Sequence, residues 1–170
     1  MDKIIEAIIF AEEKHREQKR WSGEPYIIHP LHVMMLVAEE MNIHRLWHQK
    51  KFISDELYEA ILISAALHDV IEDCGVKDHV IMERFGVMVC NIVNSLTRSD
   101  DIAYDMYIMN VCNGGLAPML IKKADLFHNS VDSKTGELKK HSKNRADKYK
   151  KAMEEVSREI DNIFAGRNDD

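Results

Sequence analysis

The stretch Ile61-Leu62-Ile63-Ser64-Ala65-Ala66-Leu67-His68-Asp69-Val70-Ile71-Glu72-Asp73 decides how this chain is read. Its first seven residues are apolar or small on every side, which marks a buried helix and not an amphipathic surface one. The helix is expected to span residues 55–73, with Ser54 or Asp55 as its N-cap. Its far end carries four titratable groups. Residues four apart share a helix face, so His68 pairs with Glu72 and Asp69 with Asp73. Three carboxylates thus crowd a helix end that already carries partial negative charge. A solvated helix end has the same local look. Carboxylates that directly follow a buried segment instead call for a compensating cation.

Outward from this helix, apolar residues recur at helical spacing and no stretch reads as a strand. A first helix is expected over about residues 2–18, with Ile4, Ile5, Ile8 and Ile9 on one side. A turn follows at Trp21-Ser22-Gly23-Glu24-Pro25, and Pro30 suits the start of a second helix reaching about Met41. Residues 42–54 read as a loop or irregular helix. Shorter helices fit 77–85, 87–97, 101–112 and 117–129; 130–143 reads as a Lys-rich loop, and a charged helix over 144–165 packs by one apolar stripe. With 7 Gly and 3 Pro and no internal repeat, the chain is expected to be all-α: one compact helical bundle over residues 1–170.

Composition excludes several classes. Hydrophobic residues make up 45% and charged residues 31% of the 170, a globular balance and not a disordered one. No apolar run approaches the ~18 residues of a membrane span. The N-terminal MDKIIEAIIF reads as a first helix and not as a signal peptide. Three widely spaced cysteines, Cys74, Cys90 and Cys112, suggest neither a disulfide framework nor a thiolate metal site, and the cytoplasm is the simplest compartment. A net charge of −6 argues against a nucleic-acid surface, so a phosphorylated small molecule would need a local basic patch.

Two further signals stand apart. In Ile121-Lys122-Lys123-Ala124-Asp125-Leu126-Phe127-His128-Asn129, Asp125 and Asn129 share a helix face; His29 directly precedes Pro30. Taken singly, each is more often a cap, a surface residue or a packed polar residue than a ligand. Imidazole with carboxylate makes a mixed nitrogen and oxygen site, which suits manganese, iron or zinc better than calcium. The remaining histidines (His15, His32, His44, His48, His79, His128 and His141) share no single face and read as structural or exposed. The ten methionines read as core filler.

The ordered set Pro25-Tyr26-Ile27-Ile28-His29-Pro30, Leu67-His68-Asp69-Val70-Ile71-Glu72-Asp73 and Ile121-Lys122-Lys123-Ala124-Asp125-Leu126-Phe127-His128-Asn129 is specific. With Lys14 to Arg20, Phe85-Gly86, Leu96-Thr97-Arg98 and Arg145 to Tyr149, it resembles the HD-domain hydrolases of the RelA/SpoT type, the small alarmone hydrolases, from about residue 7 to 153. The resemblance implies one divalent metal, usually Mn2+ (with Fe2+ or Zn2+ as alternatives), on His29, His68, Asp69 and Asp125. It implies water activation by Glu72 and Asp73, and Asn129 beside metal and substrate. It implies Arg20, with Lys19, near the phosphates or base, and Tyr149 with Arg145 at the nucleotide. The implied reaction removes pyrophosphate from the 3′ position of guanosine tetra- or pentaphosphate. Another nucleotide substrate, such as a phosphorylated dinucleotide or a nucleoside monophosphate, and a silent nucleotide-binding module are the alternatives. Trp21, Lys123, Phe127 and the stretch Ser130 to Lys134 depart from the usual residues, which bears on substrate more than on metal. The run Lys139 to Arg145 reads as a solvated loop or as a phosphate clamp. No synthetase-like second domain fits, no membrane or nucleic-acid partner is expected, and a homo-oligomer is left open.

Overall fold

The computed structural model describes residues 2–48, 53–135 and 142–166, and the side chains of 2–46, 53–131 and 146–166. Among these residues nine helices follow one another: α1 (Lys3–His15), α2 (Ile28–His48), α3 (Asp55–Leu67), α4 (Val70–Cys74), α5 (Asp78–Phe85), α6 (Val87–Leu96), α7 (Tyr104–Asn113), α8 (Leu116–Thr135) and α9 (Ser142–Ala165). No strand occurs among them. An isolated bridge between Lys19 and Pro25 closes the turn before α2. The all-α bundle expected from the sequence is therefore what forms.

Helix α3 is the axis. Ser54 caps it, its Oγ accepting the Leu57 N–H at 3.1 Å. Ala60, Ile61, Ile63, Ser64, Ala65, Ala66 and Leu67 are all buried, because α1, α2, α6 and α8 pack around it. Helix α8 packs on α2, α3, α6, α7 and α9. The charged α9 lies on it through a stripe at four-residue spacing, Ala152, Val156, Ile160 and Phe164.

The structure corrects several sequence boundaries. α1 ends at His15, and its buried face is Ala7, Phe10 and Ala11. Ile5 and Ile9 are 52% and 45% exposed, since one further residue along a helix turns a side chain well away from Ile4 and Ile8. α2 starts at Ile28, two residues before Pro30, and runs on to His48. Proline is tolerated there because first-turn N–H groups have no helical acceptor. α8 continues to Thr135, through the start of the expected loop. Lys139, Lys140 and His141 lie outside the described residues, as do the side chains of Lys143, Asn144 and Arg145.

The most consequential correction falls on residues 55–73. They form two helices and not one, broken at His68–Asp69. Asp69 sits at φ −102°, ψ −5°, at the N-cap position of α4, yet its side chain caps nothing. Gly75 ends α4 in the left-handed region at φ 66°, where its N–H reaches Ile71 O (3.1 Å) and the Val76 N–H reaches Val70 O (3.2 Å).

Candidate metal centre and active site

The break in the helix does the positioning. On a regular helix, adjacent residues such as His68 and Asp69 point about 100° apart. Here His68 Nε2 comes within 3.0 Å of Asp69 Oδ2. His29, in the first turn of α2, brings its Nε2 to 3.5 Å from the same oxygen and 3.2 Å from Asp125 Oδ1. Ligand atoms of His29, His68 and Asp69 all lie within 4.8 Å of one another, and Asp125 Oδ1 is 3.9 Å from His68 Nε2. Three segments far apart in sequence thus converge on one point.

The residues fit a divalent metal. His68 is buried; its Nδ1–H donates to Ala65 O at 2.9 Å, which leaves the Nε2 lone pair facing the cluster. That nitrogen has no hydrogen-bond partner of acceptable geometry despite its burial. A buried orphan imidazole nitrogen facing two carboxylates is what a ligand looks like. In the metal-free protein, burial opposes a charge on His68, but the carboxylates of Asp69 and Asp125 outweigh it and hold its pKa up at about 9. Asp69 and Asp125 lie well below the carboxylate range: burial raises both, but His68 overcomes it for Asp69 and Lys122 for Asp125.

The acidic pair lies one turn on, in α4. Asp73 Oδ2 and Asp69 Oδ2 both lie 2.8 Å from the Tyr26 hydroxyl, which ties the pair to Asp69. Glu72 Oε2 accepts the Arg98 N–H at 2.9 Å. Half-burial pushes its carboxyl pKa up, and the neighbouring Asp69 and Asp73 push it further. A carboxyl raised in this way can hold a proton closer to neutral pH.

A cleft of about 340 Å³ opens over these groups, lined among others by Arg20, Trp21, Tyr26, Arg98, Tyr104, Lys122, Asn129, Lys148 and Tyr149. Asn129 links its two halves, donating to Asp125 Oδ1 at 2.5 Å and accepting from Arg20 Nη2 at 2.9 Å. Lys122 Nζ is 2.8 Å from Asp125 Oδ2. Lys148 Nζ is 3.5 Å from the Tyr104 ring centroid. The lining holds four basic residues (Arg20, Arg98, Lys122, Lys148) against four acidic ones (Asp69, Glu72, Asp73, Asp125), a local balance within a chain of net charge −6. A bound divalent ion would turn the cleft positive. A larger groove of about 850 Å³ between α2 and α8 is mainly apolar, with His32, Glu39 and His128 among its lining.

Of the residues singled out from sequence, His29, Asp69, Glu72, Asp73, Asp125, Asn129, Arg20 and Tyr149 all line this one cleft, and the buried His68 stands behind it against Asp69. Lys19 is exposed and lies outside the lining, and the Arg145 side chain lies outside the described residues. Tyr26, Arg98, Lys122, Tyr104 and Lys148 were missed as site residues. The first three stand inside the quoted motifs, so motif position was the available signal. Lys148 likewise stands inside the quoted segment Arg145 to Tyr149, and Tyr104 carried no such signal. Among the histidines read as structural, His15 is buried against Tyr26, with ring centroids 4.6 Å apart.

A family model described as HD domain matches residues 7–106, more than half of the chain. The chain belongs to the HD domain family. The match includes His29, His68 and Asp69 and stops short of Asp125. This HD domain chain is also similar to longer curated proteins. It is 40% identical over 103 residues to a guanosine-3′,5′-bis(diphosphate) 3′-pyrophosphohydrolase of Aquifex aeolicus, covering 61% of this chain and 13% of that protein. It thus spans about an eighth of that relative's length. It is 28% identical over 153 residues to the guanosine-3′,5′-bis(diphosphate) 3′-pyrophosphohydrolase MESH1 of Drosophila melanogaster, covering 86% and 78% of the two chains. A solved structure described as a metazoan ortholog of SpoT that hydrolyzes ppGpp superposes with a TM-score of 0.72 at 25% identity, covering 98% of this chain and 96% of the other. No helix of the described residues is long and apolar enough to cross a membrane.

Proposed function

We propose that this chain is a metal-dependent 3′-pyrophosphohydrolase of guanosine tetra- and pentaphosphate, with His29, His68, Asp69 and Asp125 holding one Mn2+. The observation that carries the reading is the convergence of His29, His68, Asp69 and Asp125 beside a cleft that also holds an acidic pair and four basic side chains. Likeness over nearly the whole chain to proteins named for this activity supports the substrate.

When bound, the metal would supply Lewis acidity, lowering the pKa of water and offsetting phosphate charge. Everything else falls to the chain's own residues. Arg20, fixed by Asn129, is placed to hold phosphate oxygens in its planar fork, with Lys148 and Arg98 adding charge at the mouth. Tyr149, Tyr104 and Trp21 offer ring faces to the base. Asp73, oriented by the Tyr26 hydroxyl, would take a proton from the attacking water. Water adds to the 3′ phosphorus as the bond to the ribose 3′ oxygen breaks. Glu72, whose half-burial favours the protonated form, would pass a proton to the departing oxygen. GDP or GTP and pyrophosphate are the products. The reducing environment that suits three free cysteines makes the cytoplasm the proposed compartment.

Incubation of Mn2+-loaded protein with guanosine tetraphosphate, followed by anion-exchange chromatography, tests the reading. GDP with an equal amount of pyrophosphate is expected. The exposed Trp21 at the mouth favours a second reading, hydrolysis of a different nucleotide. Inertness toward guanosine tetraphosphate, with release of single phosphates from another nucleotide, would select it.

A further inference from the structure

Behind the metal cluster, on the side away from the cleft, three imidazoles stand in line. His29 Nδ1 is 3.0 Å from His128 Nδ1, and His128 Nε2 is 2.8 Å from His32 Nδ1. The ring centroids are 5.0 and 4.9 Å apart. His29 is buried, His128 half-buried and His32 exposed, so the line runs from the cluster to the surface of α2. His29 and His32 are three apart on α2, on one face of the helix, and His128 comes across from α8.

The protons along this line are not independent. His29 can offer its Nε2 lone pair to a metal when its proton sits on Nδ1. Across the 3.0 Å contact, two ring nitrogens cannot both carry hydrogen. His128 Nδ1 must then accept, and the His128 proton sits on Nε2. The same logic applies at 2.8 Å, so His32 Nδ1 accepts and its proton faces solvent from Nε2. His68 solves the same problem with a backbone carbonyl at 2.9 Å. We infer that His128, backed by His32, is a positioning residue for the metal: it selects the His29 tautomer and fixes the ring so that Nε2 faces Asp69 and Asp125.

This inference rests on the metal reading of the cluster and names residues to which that reading gives no role. Losing such an outer partner of a metal-bound imidazole typically weakens metal binding by about 10- to 100-fold. His128→Phe keeps the ring and removes the acceptor, which leaves a buried N–H unpaired. His128→Asn puts an amide oxygen close to where Nδ1 stands and should rescue. His32→Ala removes one partner of the His128 ring and should weaken binding by less than His128→Phe.

The experiment is calorimetric titration of metal-free protein with Mn2+, paired with thermal unfolding of each metal-free variant. Dissociation constants about 10- to 100-fold weaker for His128→Phe and within about threefold of wild type for His128→Asn are expected. Equal affinity of His128→Phe and wild type would overturn the inference, as would a His128→Asn protein no better than His128→Phe. Protein with 15N-labelled histidine, loaded with diamagnetic Zn2+, reads the tautomer without any substitution: His128 should carry its proton on Nε2, and a proton on Nδ1 overturns the assignment even if a variant fails to fold. A His68→Ala control separates the levels. If wild type binds Mn2+, His68→Ala does not, and His128→Phe binds normally, the cluster reading stands and the histidine line fails. A wild-type chain that took up no Mn2+ would end both.

Discussion

In the proposed centre, His68 would hold a proton until metal displaces it. Its folded pKa of about 9 in the metal-free protein means that metal and proton compete for Nε2 throughout the neutral range. Apparent Mn2+ affinity should therefore climb with pH, by up to about tenfold per unit for one displaced proton, and level off above about pH 9. Calorimetry in two buffers of different ionisation enthalpy should count the proton, and His68→Ala should lose both metal and slope. An affinity flat from pH 6 to 9 would contradict the assignment (the window is set by that pKa). Glu72 behaves oppositely to the ligand carboxylates. Its pKa is raised by burial, so its ionised form costs stability, and what it contributes below the carboxylate range is lost as pH rises. In the metal-free protein, Glu72→Gln should melt above wild type at neutral pH, and the gap should close in acid. Changing Glu72 and Asp73 together to amides should keep the metal and slow turnover by roughly 10²- to 10⁴-fold. Loss of metal in that double variant would make them ligands.

At the scale of elements, the decisive feature is the short helix α4. Hydrophobic periodicity reveals most helices here, because Ile61 to Leu67 and the Ala152, Val156, Ile160, Phe164 stripe bury local patterns that stand out in the sequence. It does not reveal the break at His68–Asp69. Nothing local interrupts a helical pattern there; the turn is held by Asp69 meeting His29 and the Tyr26 hydroxyl, forty or more residues upstream. The end of α2 was missed for the opposite reason. Residues 42–48 lose their apolar stripe, with Ile43 and Leu46 exposed, yet the helix continues past the core. The motifs singled out the side chains that converge at the cluster, and they also contain Arg98 and Lys122, whose place in the cleft lining residue spacing alone does not encode. The break also makes Gly75 a sensitive position. It stops α4 at φ 66° with open space around a would-be Cβ, so Gly75→Ala meets backbone strain alone. A cost of about 1–2 kcal/mol is expected in urea unfolding. Because α4 carries Glu72 and Asp73, turnover should fall further than Mn2+ affinity does. An unchanged unfolding midpoint would mean that another residue sets the end of α4.

Across the whole molecule, the proposed metal cluster would be a clasp on a core that does not need it. Its proposed ligands come from α2, the α3–α4 junction and α8, three segments that already pack together through Val33, Ile61, Leu120 and Ile121, all fully buried. The hydrophobic contribution therefore persists without metal, unlike a small zinc-dependent domain that unfolds when stripped. Binding still stabilises, because an ion that binds the folded state alone shifts the equilibrium by mass action. Free Mn2+ at about one hundred times its dissociation constant should add ~2.7 kcal/mol. For a chain of this size that corresponds to a rise of roughly 5–11 °C in Tm. Chelation should reverse the rise and leave the far-ultraviolet helical signal intact. Asp125→Ala should lose the Mn2+-dependent rise altogether. It also strips Lys122 and Asn129 of their shared carboxylate, so its metal-free Tm should drop as well. The two effects separate by comparing each protein with itself, with and without Mn2+. If chelation alone collapsed the helical signal of the wild type, the cluster would be part of the folding core, and a clasp added to a finished bundle would be the wrong description.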